Sequence, residues 1–483
     1  MKKIVISTFA LALFTATSCS DTDFDQDVND VVVTSGEADF SRYVALGNSL
    51  TSGYRDNALY LSGQVESYPN MIAAQMKLAG GGNFLQPLMP NDVGGFTNLT
   101  GFTGKLTLQV VNGALSPVAS DAAAALDIVS SGGPYQNLGV PGAKSFHLGV
   151  AGYGNPAGLS VGLANPYYVR FASSATSSVL SDALSQSPTF FSLWIGNNDV
   201  LSYATSGGTG TDQTGNTNPA TYGSNDITDP TVYASVINNY VTALTANGAK
   251  GVIANIPNVT SIPFFNRVPA KPIAGLSAEQ VTQLNTGYAS YNAGLAQVKA
   301  AGYISETEYN QRLIKFEVST ANGAVCVDKD LTNLSAIGLP SYRQTTSEDY
   351  ILLTASSVLP QGGGTASPLG DQYVLTKTET AKVLTATAAY NTSLKAIADA
   401  KGLAFVDANA KMVELSSSSG ILFDGVKYTA TFVTGGSFSL DGVHLTGRGY
   451  AIVANEFIKA INAKYKSTLP LVNPNSYSGV TFP

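Results

Sequence analysis

The residues best suited to chemistry in this chain are a serine near its beginning and an aspartate and a histidine near its end. Ser49 stands in "YVALGNSLTSGY", residues 43–54, where an apolar run breaks at Gly47 and Asn48 and delivers a hydroxyl. Asp441 and His444 stand in "SLDGVHLTGRGY", residues 439–450, with the carboxylate three residues before the imidazole. A serine hydroxyl is a weak nucleophile at neutral pH and needs a base to take its proton. An unperturbed imidazole titrates near pH ~6.5 and suits that task. A carboxylate three residues away on a tight turn can reach the ring's Nδ1, fix its tautomer and stabilise the imidazolium. The other histidine, His147, follows the turn at Gly142 and reads as structural or pocket-lining. Taken singly, these features are ordinary: Ser49 is a cap after a strand, and Asp441-Gly442 is a turn dipeptide.

Two further stretches supply groups of the kind acyl transfer needs. "NLGVPGAKS", residues 137–145, carries Gly139 and Gly142, and "IGNNDV", residues 195–200, carries Asn197, Asn198 and Asp199. A tetrahedral intermediate bears a negative oxygen and requires preorganised donors, such as backbone N–H groups and amides. Glycine admits close backbone approach. Asn198 and Asp199 by themselves also fit a turn, and Asp199 reads as a brace for that loop rather than a reacting group. With two histidines, two cysteines and no HExxH or GxxxxGK[ST] pattern, a zinc or phosphate-cradling site is hard to build, and no cofactor is expected.

The elements that must position these groups are legible as five short apolar runs, residues 43–46, 135–140, 189–195, 251–256 and 403–407, each ending in Gly, Asn, Asp or Pro. Near-continuous hydrophobicity, as in "FFSLWI", fits parallel strands covered on both faces. Helical patterns lie between several of them, including "YPNMIAAQMKLAG" and "DPTVYASVINNYVTALTANGAK". In the second, Val232, Val236, Tyr240 and Leu244 recur every four residues before a stop at Gly248. Alternation of strand and crossover helix predicts an α/β fold with a doubly wound parallel sheet of about five strands. Ligands bind outside the carboxyl ends of such strands, where all four stretches fall. Thr446 reads as the cap of the last helix, and Trp194 as core. Tyr167 and Tyr168 either line a pocket or pack a loop. Residues 85–132 and 266–370 exceed a minimal fold and are expected as insertions in a single domain, residues 41–483. The second is expected to hold a helix pair in "SAEQVTQLNTGYASYNAGLAQVKAAG".

The four stretches resemble the SGNH, or GDSL-type, hydrolase family of esterases and lipases. "ALGNSLTSGY" is similar to its first block, "NLGVPG" to the second, "IGNND" to the third as G-x-N-D, and "DGVH" to the last as D-x-x-H. They occur in the family's order over residues ~42–460, leaving the two long segments outside. Asn48 departs from the usual Asp, but keeps a carbonyl acceptor. The resemblance implies a three-layer α/β/α fold and a serine ester hydrolase with Ser49, His444 and Asp441 as the triad. It also implies an oxyanion hole from the Ser49 N–H, a second-block glycine N–H and the Asn198 side chain. Gly142 is the preferred glycine and Gly139 the alternate.

Composition bounds the rest. Hydrophobic residues make up 44% and charged residues 12%, enough for a sizeable core. Net charge is −7 with no long basic run, so nucleic acid is an unexpected partner. Lys2 and Lys3, then an apolar stretch of about eleven residues and small residues before Cys19, read as an export signal over residues 1–18. The arrangement is similar to the lipobox of bacterial lipoproteins, which implies acylation of Cys19 and attachment to the outer membrane. The acidic "SDTDFDQDVND" reads as a tether within residues 19–40 and resembles the surface-export signal of Bacteroidota-type lipoproteins. Cys326, in "GAVCVD", reads as a buried apolar residue. Lipid esters, short acyl esters and acetylated polysaccharides all remain open as substrates. A noncatalytic surface lipoprotein that binds glycan or a partner is the alternative from another class.

Overall fold

Val44, Ala45, Leu46, Phe190, Phe191, Leu193, Val252 and Ile253 are each 1% exposed or less, so the apolar runs that carry them are strands buried on both faces. In a computed structural model, which describes residues 32–319 and 321–483, these runs form one sheet. Its strands are β1 (Tyr43–Gly47), β2 (Asn137–Gly139), β3 (Phe190–Trp194), β4 (Lys250–Ala254) and β5 (Ala404–Val406), in the order β2-β1-β3-β4-β5. Every pairing is parallel, and Gly47 at the end of β1 lies opposite both Gly139 and Trp194. The expected run at 135–140 narrows to three residues. Before it, Gln136 turns its side-chain oxygen to the Leu85 N–H (2.7 Å) and its own N–H to the Leu85 carbonyl.

The helices that position the site are α1 (Ser49–Ser52), α2 (Tyr68–Leu78), α3 (Asn198–Thr205), α4 (Pro230–Thr245), α5 (Ala278–Ala300), α6 (Lys377–Ala400), α7 (Ala408–Ser416) and α8 (Gly447–Tyr465). Six of these eight start at a side-chain cap, whereas α2 and α3 do not. Asp229 accepts from the Thr231 and Val232 N–H groups ahead of Pro230, and Thr376 and Glu379 form a reciprocal capping box. Of the four α4 residues read from the sequence, Val232, Tyr240 and Leu244 are buried. Val236 is half-buried beside Tyr233 and Ile237, which take the centre of the contact face. α8 packs on α2, β4 and β5, whereas α6 packs on α3, α4 and β4. Tyr465, at the end of α8, accepts from the Gly251 and Ala404 N–H groups and donates to the Gly251 carbonyl, tying the helix to the starts of two strands. The chain is therefore α/β with a central five-stranded parallel sheet.

Two segments differ from the sequence reading, residues 33–40 and the expected helix pair. Residues 1–18, Cys19 and the acidic run lie outside the described residues. Residues 33–40, grouped above with the tether, belong to the folded unit. Ala38 and Phe40 are buried, with Phe40 edge-on to Phe190 at 5.0 Å, because an aromatic at this position completes the end of the sheet's core. The expected helix pair is one continuous helix, α5. Gly287 sits on its open side, with nothing near a Cβ position, and Gly294 packs against Leu339, so neither interrupts the hydrogen-bonded turns. Within residues 85–132, the strands Leu106–Val111 and Ala114–Ala119 pair as an antiparallel hairpin about Asn112-Gly113.

Residues 266–370 supply most of a second apolar cluster, in which Leu295 of α5 packs with Ile314, Phe316, Val325 and Ile351. Cys326 is fully buried there, and burial pushes its thiol up to about 12. Opposite it, Arg343 donates to Asp328 (2.6 Å) and, through both terminal nitrogens, to Asp349 (2.7 and 2.8 Å). That bidentate pairing satisfies a guanidinium which would be costly to bury alone.

Gly47 is the tightest point between sheet and site. A Cβ there would lie 2.0 Å from the Thr51 hydroxyl and 2.5 Å from the Trp194 carbonyl. Gly47→Ala is expected to destabilise the fold by about 1–3 kcal/mol through overpacking, read as a lower urea midpoint.

Candidate active site

β1 ends at Gly47 and the chain turns at once into the four-residue helix α1, so Ser49 is held at the carboxyl edge of the sheet. Asn48 makes this turn. Its side-chain oxygen accepts from the Leu50 N–H (3.0 Å), which is the capping role expected of the retained carbonyl. Asn48 is 1% exposed, and an amide there avoids burying a charge. The Ser49 side chain meets His444, 395 residues away in sequence. Ser49 Oγ lies 2.9 Å from His444 Nε2, and His444 Nδ1 lies 2.9 Å from Asp441 Oδ2. With an ionised carboxylate on Nδ1, the ring's proton sits on that nitrogen, and Nε2 is left to accept from the serine hydroxyl.

Asp441 is the most heavily hydrogen-bonded group in the site. Its Oδ1 accepts from the His444 N–H (2.8 Å), the Val443 N–H (2.9 Å) and the Ser439 hydroxyl (3.1 Å), and its Oδ2 also accepts from the Asn57 N–H (2.9 Å). Burial by itself would raise this carboxyl. The His444 ring and these backbone donors outweigh burial and hold it well below the usual carboxylate range. Gly442, at φ +70°, lets the loop fold back, and its carbonyl accepts from the Phe264 N–H (3.0 Å). Thr446 caps α8 through the Gly449 N–H (3.2 Å), so the cap stands two residues after His444 and fixes its loop.

The second and third stretches reach the same place. Asn198 Nδ2 donates to the Ala143 carbonyl (2.9 Å), which uses one of its two N–H groups and joins the start of α3 to the Gly142 turn. Gly142, at φ +81°, lines a cavity with Ser49, Asn198 and His444. Gly139 is placed otherwise: its N–H donates to the Asn137 side chain (3.0 Å) and a Cβ there would meet the Ser52 nitrogen at 2.3 Å. Asp199 is fully buried and accepts from the Ser145 N–H (2.8 Å) and hydroxyl (2.6 Å). Burial raises its carboxyl despite these bonds. It braces the loop between β2 and the site.

Several contributors were not found from the sequence. Asp56 and Asn57 both adopt left-handed backbone (φ 53° and 60°), a region that Asn and Asp tolerate better than most side chains. This turns the Asp56 N–H to the Ser439 hydroxyl (3.0 Å) and the Asn57 N–H to Asp441, while Asp56 Oδ1 accepts from the Leu440 N–H (3.0 Å). The adjacent Asp-Asn pair after Arg55 was the available signal. Tyr54 lies against the His444 ring, with centroids 4.7 Å apart, and edge-on to Tyr167. Tyr167 lines the site cavity, whereas Tyr168 is core, with its hydroxyl donating to Asp182 (2.7 Å).

Two cavities share Ser49, Asn198, Leu201 and His444. One, of about 400 Å³, opens past Tyr54 and Tyr167, and the other, of about 100 Å³, runs between α7 and α8 and includes Trp194. Trp194 is 3% exposed and donates to the Asn255 carbonyl (3.0 Å). Among the described residues no group of three or more His, Cys, Asp or Glu side chains could hold a metal ion, and no helix is long and apolar enough to cross a membrane. Comparison with known proteins gave no match to a family model, a curated protein or a solved structure.

His147 belongs to a different cluster. Its Nδ1 accepts from the Lys144 N–H (3.0 Å) and its ring stacks on Tyr153. Burial, with a smaller contribution from the Lys144 charge, lowers its pKa to about 4. The folded ring stays neutral while the unfolded chain takes up a proton near pH ~6.5, so stability is full above that pH and falls as pH drops toward 4. Between pH 7 and 5 this loss is about 1–2 kcal/mol. His147→Gln is expected to remove that part of the pH slope, measured by urea denaturation at the two pH values.

Proposed function

We propose that the chain is a serine ester hydrolase of the SGNH, or GDSL, type, built on the three-layer α/β/α arrangement of that family. The observation that carries this reading is the continuous relay from Ser49 Oγ through His444 to Asp441, each step 2.9 Å, made by the two ends of the sequence. A noncatalytic binding protein has no need of such a relay.

His444 Nε2 takes the Ser49 proton as Oγ forms a bond to the ester carbonyl carbon, and the carbonyl electron pair moves to oxygen. The oxyanion is stabilised by the Ser49 and Gly142 N–H groups and the second N–H of Asn198. Collapse of the intermediate breaks the C–O bond to the alcohol, which leaves with the proton from His444. Water then enters, gives its proton to His444 and attacks the acyl carbon; the C–Oγ bond breaks, His444 returns the proton to Ser49 Oγ and the acid leaves. Asp441 stays ionised throughout, holding the Nδ1 proton and balancing the imidazolium charge. The N-terminal residues support export and acylation at Cys19, with anchoring of the enzyme to the bacterial outer membrane.

A fluorophosphonate is expected to add once to the protein, at Ser49, seen as a mass shift that Ser49→Ala abolishes. Ser49→Ala is expected to lower kcat on p-nitrophenyl acetate by ~10⁴-fold or more. Asn198→Ala is expected to lower it by ~10²–10³-fold with little change in KM. Undiminished turnover by a clean Ser49→Ala preparation refutes the assignment. Cys19→Ala is expected to move the protein from the membrane to the soluble fraction.

A further inference from the structure

The two cavities that meet at Ser49 are unlike, and the difference sorts the two halves of an ester. Resting on the hydrolase reading above, we propose that the substrate joins a medium-length, unbranched acyl chain to an uncharged polar alcohol, with the chain between α7 and α8 and the alcohol beneath Tyr54 and Tyr167.

The narrower cavity is walled by Trp194, Leu201, Val406, Met412, Ile452 and Phe457. Its polar residues gather at its ends. Asn48, Asn197, Asn198 and Ser437 lie near the Ser49 end, and Lys411 and Glu456 stand at the other. An alcohol hydroxyl between those ends would lose water without gaining a partner, which is costly. Each methylene placed there instead is favoured by leaving water. The length follows from α8, where Gly449 and Glu456 both line the space. Seven residues of helix rise ~10 Å. An extended alkyl chain with bonds of ~1.5 Å advances ~1.25 Å per carbon, so about eight carbons fill that distance. At the far end Lys411 Nζ lies 3.5 Å from Glu456 and 2.6 Å from Glu414. A longer chain has to part these charges.

The wider cavity has a different chemistry. Asn57, Thr103 and Asn165 line it together with the rings of Tyr54 and Tyr167. Apart from His444, none of its lining residues is ionisable as an acid or base at neutral pH. Amide, hydroxyl and aromatic surfaces suit a sugar or glycerol, and nothing there balances a phosphate.

The chain's only tryptophan, Trp194, lines the narrow cavity, so its fluorescence reads occupancy without turnover. Octanoate titrated into the Ser49→Ala protein is expected to shift Trp194 emission saturably. With the unmodified protein, kcat/KM on p-nitrophenyl octanoate is expected to exceed that on the acetate and the palmitate by at least tenfold. Ala408→Phe on α7 and Val453→Phe on α8, which fill the same space from opposite sides, are each expected to lower the octanoate-to-acetate ratio at least tenfold. 1-Octanoylglycerol is expected to be cleaved at least tenfold faster than a lysophosphatidylcholine of the same chain length. If a variant fails to fold, the unmodified protein's chain-length profile and the fluorescence titration decide. Fluorophosphonate labelling of Ser49 combined with a preference for acetate, or with no emission change, overturns this substrate and leaves the hydrolase standing. No labelling and no hydrolysis of any ester overturns both.

Discussion

A carboxylate whose side chain is 8% exposed and accepts five hydrogen bonds holds the two ends of this chain together. Asp441 takes donors from its own loop, from the histidine it serves and from Asn57, which lies eight residues beyond Ser49. Burying a charge is costly unless it is satisfied, so each donor also constrains the geometry of the others. The loop of residues 437–445 cannot shift without exposing or unpairing Asp441. The turn at residues 55–58 is held to the same condition from the other side. The Ser49–His444 separation is therefore set by electrostatics behind the ring rather than by the serine itself.

Much of this was readable in the sequence, for reasons that can be named. A strand covered on both faces must be apolar at nearly every position, and "FFSLWI" cannot be mistaken for an amphipathic element. Ser49, Asp441 and His444 stood out because each sits where an apolar run or a turn stops. The bracing of Asp441 by residues 55–58 was not readable, because backbone N–H groups have no letter in the sequence and their direction depends on two left-handed residues. In "NLGVPG" both Gly139 and Gly142 offer a backbone N–H, and only the resemblance prefers Gly142. The physical reason for the difference appears with strand pairing, which directs the Gly139 N–H to Asn137 and leaves Gly142 on the turn that lines the cavity. α5 is one helix rather than the expected pair, although it contains Gly287 and Gly294. Gly287 lowers helix propensity by about 1 kcal/mol. A 23-residue helix anchored by Tyr288, Tyr291 and Leu295 tolerates that.

α8 links distant parts of the site. Its first turn is capped by Thr446, two residues after His444, its middle walls the narrow cavity, and its last residue bonds the starts of β4 and β5. The relay, the narrow cavity and the bottom of the sheet thus share one rigid element. The wider cavity depends on other parts of the chain, chiefly Tyr54 after α1 and the loops carrying Thr103 and Asn165. The two sides of Ser49 can vary independently in such an arrangement.

The cluster around α5 has a property of practical use. Its thiol, Cys326, is sealed from solvent and its ionisation is suppressed, so alkylating reagents meet an inert group while that region is closed. Reaction requires transient opening. The rate of Cys326 modification under native conditions is thus a local clock for breathing of residues 266–370, separable from global unfolding by its dependence on denaturant.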